Sequence, residues 1–333
     1  MFEPLTHFVD SHSRFVVTTH VNPDCDALGS ALAMAHLIRA RGKAARVINS
    51  DPTPERFGFV DPDGEILVFG DGVHPEADEA VVVVDVGDLK RLGKVGEFLD
   101  SSPRPFACVD HHKSNTGFAE VNLVQPDAPA TGMILAHLAK AWGIPLTPEL
   151  ASQLYIAIYT DTGGFRFSNT DAETLSMAAE LVRAGADPSY LATEFHENIP
   201  VGRVRLFSQV LSNLHIEEGG RIVWVSVTLA EMDAHGCDRS DIEGFVEYIR
   251  GIEGIDVAVL FRESDPGKTK LSFRSRHDVD CSHLAQRFGG GGHYHAAGAN
   301  LDVPLEAAPA LVLPAVAEAV RRSHGARRAP APA

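Results

Sequence analysis

The sequence predicts an α/β protein, with a parallel-sheet domain followed by a smaller α/β domain and a helix that connects the two. Short apolar runs alternate with segments of helical period along the first part of the chain, which is the pattern of βαβ units in a parallel sheet. The runs at residues 81–84 and 106–109 are apolar without alternation, as expected for strands buried on both faces. The length of 333 residues allows two domains.

The first domain is predicted to cover residues 1–195. Its strands are expected at residues 15–19, 45–48, 66–69, 80–85 and 106–110, and its helices at residues 28–41, 89–99, 130–142, 149–159 and 171–184. Gly42 ends the first of these helices, while Asp171 caps the start of the last and Gly185 follows its end.

A connector helix is predicted within residues 196–214, because apolar residues recur there at helical spacing. The second domain, residues 215–323, has predicted strands at 222–227, 257–262 and 270–276 and predicted helices at 241–249, 281–288 and 305–321. Residues 324–333 are of low complexity and are predicted to be a disordered tail.

One imidazole and two carboxylates, those of His20, Asp24 and Asp26, follow the first predicted strand. Three further polar clusters each follow an apolar run, and they contain Asp85, Asp110, His111, His112 and Asp161. Because ligands bind at the carboxyl ends of strands in open α/β sheets, these side chains are expected to converge and to hold a divalent cation. A single Asp after a strand could instead be a helix cap or a turn residue, but four clusters in one domain favour a metal site.

The bulk composition is that of an ordinary globular protein, with 44% hydrophobic and 22% charged residues. No apolar run approaches the roughly 18 residues of a membrane helix, and the N-terminus lacks the features of a secretory signal. The four cysteines are scattered without the pattern of a disulfide framework, which predicts a cytoplasmic location.

The formal net charge of -16 argues against binding along a long nucleic acid, which depends on neutralising many phosphates. Two divalent ions would offset four of the acidic side chains, and a local basic pocket could still take a small anion. The charge therefore favours a short or small phosphorylated substrate.

The motifs, taken in order, resemble those of the DHH phosphoesterase superfamily, which is named for the triplet Asp110-His111-His112. The second domain resembles the C-terminal domain that accompanies the first DHH subfamily, because residues 289–293 read Gly-Gly-Gly-Gly-His and residues 296–298 read Ala-Ala-Gly. The resemblance covers nearly the whole chain and is strongest to the two-domain nanoRNase/pAp phosphatase group. The related RecJ exonucleases carry extra modules, and the family II pyrophosphatases have a different C-terminal domain.

The resemblance implies two adjacent metal sites with carboxylate and imidazole ligands. These are divided as His20 and Asp24 for one ion, Asp26, His111 and Asp161 for the other, and Asp85 as a bridge. Such mixed ligation suits Mn²⁺, with Mg²⁺ or Co²⁺ as alternatives. Two cations roughly 3.5–4 Å apart can activate water and clamp phosphoryl oxygens during in-line displacement.

Further roles are expected for the neighbours of these ligands. Asp110 is predicted to orient His111. His112 is predicted to contact phosphate or protonate the leaving group, with a structural histidine as the alternative. Cys25 stands where the family usually has a small residue, commonly glycine, and is expected to pack inward as a small hydrophobe.

The predicted substrate contacts are Asn115, Arg274, Gly290, Gly291, Gly292 and His293. Glycines let the backbone approach an anion, and an arginine can fork onto a phosphate. A glycine run can also be a flexible loop, but the small residues at 296–298 favour close packing against another element. Arg166 could line the cleft or form a surface salt bridge.

The resemblance implies hydrolysis of very short RNA to 5′-mononucleotides, and of the 3′-phosphate of pAp, in a cleft between the domains. One alternative is a phosphodiesterase for cyclic di-AMP or pApA. Another is a non-catalytic nucleotide-binding regulator, which the complete set of ligand residues disfavours. The expected partners are short RNA or small nucleotides, without long nucleic acid or membrane, and a homodimer is left open.

Overall fold

The computed structural model describes residues 1–328, with side chains described to Ser323. The chain forms two compact units that divide between Asn198 and Ile199. Within the described residues, no helix is long and apolar enough to cross a membrane.

The first unit is an α/β domain, as predicted. Its strands are β1 (Arg14–Thr18), β2 (Ala44–Asn49), β3 (Ile66–Val68), β4 (Glu79–Val84), β5 (Phe106–Asp110) and β6 (Val121–Val124). Its helices are α1 (Glu3–Ser11), α2 (Cys25–Ala40), α3 (Lys94–Ser101), α4 (Thr131–Ala141), α5 (Pro148–Asp161), α6 (Ala172–Arg183) and α7 (Pro188–His196), with 3₁₀ helices at Glu55–Val60 and Leu89–Leu92.

The six strands form one parallel sheet in the order β3-β2-β1-β4-β5-β6. From β1 the chain builds outward through β2 to β3, and it then returns to add β4 on the other side of β1. The carboxyl ends of β1 and β4 therefore meet at the topological switch point, which is where open α/β sheets bind ligands.

The burial of strand β4 explains why its sequence is continuously apolar. Val82 and Val84 pack into the core on one face of the sheet, and Val81 and Val83 pack into the core on the other. A strand covered on both faces has no polar side to alternate with.

The helix predicted at 89–99 is interrupted, because Gly93 adopts a left-handed backbone with φ of 56° between the 3₁₀ helix and α3. The elements α1, β6 and α7 were not predicted, although Leu5, Phe8 and Val9 of α1 are buried at helical spacing.

The second unit contains a mixed sheet in the order β11-β12-β10-β9-β8-β7, which confirms a smaller α/β domain. Its strands are β7 (His215–Glu217), β8 (Ile222–Val227), β9 (Val257–Asp265), β10 (Lys268–Ser275), β11 (Gly291–His293) and β12 (Ala296–Leu301). Its helices are α8 (Val201–Ser212), α9 (Leu229–Ala234), α10 (Phe245–Arg250), α11 (Cys281–Gln286) and α12 (Ala308–Arg328).

The helix expected to connect the domains is α8, and its Leu206 and Val210 are buried in the core of the second unit. The last helix extends beyond its predicted end at Arg321 to Arg328. Residues 324–328 of the predicted disordered tail thus lie in α12, and residues 329–333 lie outside the described part of the chain.

Candidate metal centre and active site

Three neighbouring strands of the first sheet are each followed in the sequence by residues of the candidate site. His20 follows β1, Asp85 follows β4, and His111 and His112 follow β5. Because these strands are adjacent and parallel, their carboxyl ends bring these residues to the switch point.

Two helices supply the remaining carboxylates. Asp24 is the N-cap of α2, where its Oδ1 accepts a hydrogen bond from the Ala27 N–H at 3.0 Å. Asp26 lies in the first turn of α2, and Asp161 is the last residue of α5. The side chains form three sets whose ligand atoms all lie within 4.8 Å of one another: His20, Asp24 and Asp85; Asp26, His111 and Asp161; and Asp85, His111 and His112.

Asp85 lies between the two imidazoles that face the cluster. Its Oδ1 is 3.5 Å from Nε2 of His111, and its Oδ2 is 3.6 Å from Nε2 of His20. The residue has φ of 60°, a left-handed conformation that is uncommon outside glycine, and its N–H donates to the Val109 carbonyl at 2.9 Å. This backbone directs one carboxylate oxygen toward each histidine.

Backbone carbonyls orient both imidazoles. Nδ1 of His20 is 2.9 Å from the Val21 carbonyl oxygen, and Nδ1 of His111 is 3.1 Å from the Ala128 carbonyl oxygen. A proton on each Nδ1 satisfies these contacts and leaves Nε2 directed at the carboxylates. The prediction that Asp110 orients His111 was wrong, since the Ala128 carbonyl does so.

Asp110 instead contacts His112, with 2.7 Å between Oδ1 and Nδ1. The amide of Asn115, predicted to contact substrate, donates to Oδ2 of Asp110 at 2.7 Å and to the Val86 carbonyl at 3.1 Å. Burial lowers the pKa of His112, but the hydrogen bond to Asp110 and the charge of Asp85 outweigh it and raise the pKa to about 9. The Asn115 amide thus supports Asp110 in the structure, and its contact with substrate stays a prediction.

The N-terminus of α4 holds two carboxylates and was missed from the sequence. The Thr131 N–H donates to Oδ2 of Asp26 at 2.8 Å, and the Gly132 N–H donates to Oδ1 at 3.0 Å. The Thr131 hydroxyl donates to Oδ1 of Asp85 at 2.9 Å. A Cβ at Gly132 would lie 2.6 Å from Cβ of Ala157, so a glycine lets α4 approach α5 here. The only local signal is the Thr-Gly pair that begins a helix.

The carboxylates of the cluster repel one another in a buried setting. Burial and the charges of Asp85 and Asp161 raise the pKa of Asp26 well above its usual range. Burial and the charges of Asp85 and Asp24 raise the pKa of Asp161 to about 7, against the opposing influence of His111. A divalent cation among these oxygens would remove the repulsion, and hard carboxylates with imidazole suit such an ion. The residues present therefore fit a metal centre.

Two other predicted positions lie apart from the cluster. Cys25 is fully buried in the apolar core of the first unit, consistent with inward packing. Arg166 is exposed, and its Nε donates to the carbonyl of Gly163 at 2.6 Å.

The last part of the glycine run, Gly291–His293, forms the edge strand β11 of the second unit. Strand β11 pairs with β12, with Gly291 opposite Gly298 and His293 opposite Ala296. A Cβ at Gly290 would lie 2.1 Å from the Gly298 carbonyl oxygen, whereas one at Gly291 would meet nothing within 4 Å. Close packing thus requires Gly290, and the backbone at Gly291 is open to an approaching group.

Arg274, on β10, is partly engaged within the second unit. Its Nε donates to Oε1 of Glu247 at 2.7 Å, and its Nη1 donates to the Phe273 carbonyl at 2.9 Å. Arg274 pairs in register with Ala296 of β12, and Ala296 pairs on its other side with His293 of β11.

This fold and its carboxylate and imidazole cluster define a class of enzyme, the hydrolases that act on phosphoester bonds. A model of the DHH family, N-terminal domain, matches residues 14–158, and a model of the DHHA1 domain matches residues 223–321. The bifunctional oligoribonuclease and PAP phosphatase NrnA of Thermus thermophilus is 34% identical over 92% of this chain and 90% of its own length. The chain belongs to the DHH family, in the form that also carries a DHHA1 domain.

Solved structures agree with this fold. An exopolyphosphatase-related protein from Bacteroides fragilis is 25% identical and has a TM-score of 0.85, with 96% of this chain and 95% of that chain covered. RecJ of Thermus thermophilus, solved in complex with Mn²⁺, is 13% identical with a TM-score of 0.55 over 96% of this chain and 54% of its own. At 13% identity, the likeness to RecJ shows a shared fold alone.

Proposed function

We propose that this protein is a two-metal phosphoesterase that hydrolyses very short RNA to 5′-mononucleotides and removes the 3′-phosphate of pAp. The observation that carries this proposal is the position of Asp85, with one oxygen toward His20 and the other toward His111. The name of the relative that is 34% identical, an oligoribonuclease and PAP phosphatase, supports the choice of substrates.

The metal ligands in this proposal are the six residues expected from the sequence. His20 and Asp24 would hold one ion, Asp26, His111 and Asp161 the other, and Asp85 both. We propose Mn²⁺ as the ion, because the donors are mixed oxygen and nitrogen and because RecJ was solved with Mn²⁺. When bound, two such ions supply an activated water and stabilise the charge on the phosphoryl oxygens.

The remaining residues of the cluster orient groups and move a proton. The carbonyls of Val21 and Ala128 keep Nε2 of each ligand imidazole directed inward. His112 is held through Nδ1 by Asp110, so Nε2 is the nitrogen that would give a proton to the leaving oxygen. Thr131 fixes Asp85 by its hydroxyl and Asp26 by its N–H.

The second domain is proposed to bind the nucleotide end of the substrate. Arg274, His293 and the open backbone at Gly291 offer donors to a phosphate, and Gly290 and Gly292 shape this strand by packing on β12. The proposed location is the cytoplasm, which the buried positions of all four cysteines support.

The test is a panel of substrates assayed with Mn²⁺ and after chelation. The panel contains RNAs of two to five residues, pAp, pApA and cyclic di-AMP, with product identity followed by chromatography. Release of 5′-mononucleotides from the short RNAs and of phosphate from pAp supports the proposal. Preference for cyclic di-AMP would replace it with the cyclic dinucleotide alternative, and the absence of turnover on every member would favour a binding protein.

A further inference from the structure

The loop between β4 and α3 passes beside two histidines of the candidate metal centre. At Gly87 it lies so close to His112 that a Cβ on the glycine would be 3.2 Å from Cβ of His112. Further along, the carbonyl of Arg91 accepts a hydrogen bond from the N–H of Val21 at 2.8 Å. Val21 directly follows His20, and its own carbonyl orients the His20 ring. Arg91 therefore lies on a segment that packs next to both histidines.

Close packing fixes the segment that carries Arg91. The 3₁₀ helix Leu89–Leu92 is capped at its start by the side chain of Asp88. Gly93 follows this helix with φ of 56°, and a Cβ there would lie 2.5 Å from Cγ1 of Val21. Glycine meets both conditions without displacing its neighbours. The place of Arg91 beside the first metal-ligand loop is thus set by the backbone.

Arg91 is a cation without a counter-charge of its own. Its side chain is exposed and has no ion-pair or hydrogen-bond partner in the part of the chain that the structure describes. Burial lowers the pKa of His20, Asp85 and Asp24 raise it, and the charge of Arg91 acts with burial against that rise. Burial also lowers the pKa of His112, where Arg91 again acts in the same direction against a net rise. The guanidinium charge therefore reaches both sides of the cluster.

We propose that Arg91 binds the non-bridging oxygens of the phosphate that is hydrolysed at the metal centre. A phosphoester is the anion that this class of enzyme brings to the cluster, and a planar guanidinium can donate to two phosphate oxygens at once. The inference rests on the proposed function, because the two metal ions define where that phosphate lies.

This role differs from the one proposed for Arg274, which is to bind the nucleotide end of the substrate. The reacting phosphate is common to short RNA, pAp and the generic diester bis(p-nitrophenyl) phosphate. Loss of Arg91 should therefore slow the hydrolysis of all three, whereas a residue that binds the nucleotide end affects only the first two.

The experiment compares Arg91→Gln, Arg91→Lys and the control Lys90→Gln. The control removes the same charge from an exposed neighbour, and consecutive residues of a 3₁₀ helix lie on different faces. Arg91→Gln should lower kcat/KM on all three substrates by about 10- to 100-fold, the range for one charge-assisted contact. Calorimetric titration of inorganic phosphate into Mg²⁺-loaded protein should show a loss of similar size. Arg91→Lys should recover part of both, and Lys90→Gln should behave as the native protein.

Metal binding separates a lost phosphate contact from damage to the site. Removing a positive charge near the cluster should leave the affinity for Mn²⁺ at least as high as in the native protein, so weaker Mn²⁺ binding by Arg91→Gln would overturn the proposal. Native-like kinetics and phosphate binding in Arg91→Gln, or an equal loss in Lys90→Gln, would also overturn it. Absence of turnover of short RNA and pAp by the native protein would refute the proposed function instead, and phosphate binding would still test Arg91.

Discussion

Nδ1 of His112 lies 2.7 Å from Oδ1 of Asp110, a carboxylate that is fully buried. The adjacent His111 is oriented by a backbone carbonyl instead. The two consecutive histidines therefore have different partners at Nδ1, and the roles proposed for them follow from those partners. A carboxylate on Nδ1 stabilises the protonated ring, which suits a proton donor, whereas a carbonyl on Nδ1 fixes the neutral ring that a metal requires.

Asp110→Asn should lower kcat about 10- to 100-fold, the usual effect of removing a partner that orients a functional imidazole. The affinity for Mn²⁺ should stay near that of the native protein, since the Ala128 carbonyl still orients His111. Steady-state kinetics and metal titration by calorimetry measure the two quantities. A parallel loss of metal affinity would mean that Asp110 supports the metal site after all.

Asp85→Asn should reduce turnover by at least about a thousandfold, because several kcal/mol of charge stabilisation depend on the two metals that this carboxylate is proposed to bridge. The fold should persist, since asparagine tolerates the left-handed backbone that Asp85 adopts at φ of 60°. Circular dichroism checks the fold, and elemental analysis after dialysis counts bound Mn²⁺. Near-native activity at saturating Mn²⁺ would rule out the bridging role.

Thr131→Val removes the hydroxyl that donates to Asp85 but keeps the N–H that donates to Asp26. Metal affinity should fall about 10- to 100-fold, because the bridging carboxylate loses the group that orients it. Thr131→Ser keeps the hydroxyl and is the matched control, expected to bind Mn²⁺ nearly as the native protein does. Native-like affinity in Thr131→Val would contradict the orienting role of the hydroxyl, and an equal loss in both variants would mean that the loss in Thr131→Val cannot be assigned to this hydrogen bond.

The parts of the fold that the sequence predicted are those set by local pattern. The four valines of β4 predict a strand buried on both faces. In the structure, they pack alternately into the apolar cores on the two faces of the sheet. Each polar cluster follows its apolar run directly, so the sheet order alone brings His20, Asp85 and His111 together.

The missed features depend on contacts between residues distant in sequence. Ala128 orients His111 through a backbone carbonyl, which any residue type could supply. Thr131 donates to Asp26 and to Asp85, which precede it by 105 and 46 residues in the sequence. The expected close packing of the glycine run takes the form of strand pairing between Gly291–His293 and β12, a form that was not predicted because glycine has low strand propensity.

Substrate length provides a test of the charge argument. The protein has a formal net charge of -16, and backbone-tracking sites for long single strands rely on a positively charged groove. RNAs of two to about five residues should therefore be cleaved much faster per molecule than a long unstructured RNA. Initial rates at equal concentrations of 3′ ends, with Mn²⁺, measure the ratio. Equal rates would contradict the proposed preference for short substrates.

Arg274→Ala tests whether the second domain binds the nucleotide end of the substrate. Loss of one charge-assisted contact costs about 1.5–3 kcal/mol, so KM for a dinucleotide should rise at least about tenfold while kcat changes little. Because Nε of Arg274 donates to Glu247, the variant Glu247→Gln is the matched control: it weakens that internal pair but keeps the arginine. The chromogenic diester bis(p-nitrophenyl) phosphate lacks a nucleotide end, and its hydrolysis should be nearly unaffected by Arg274→Ala. General damage to the fold would depress both substrates, so an equal loss on the two, or no loss on either, would exclude Arg274 as a recognition residue.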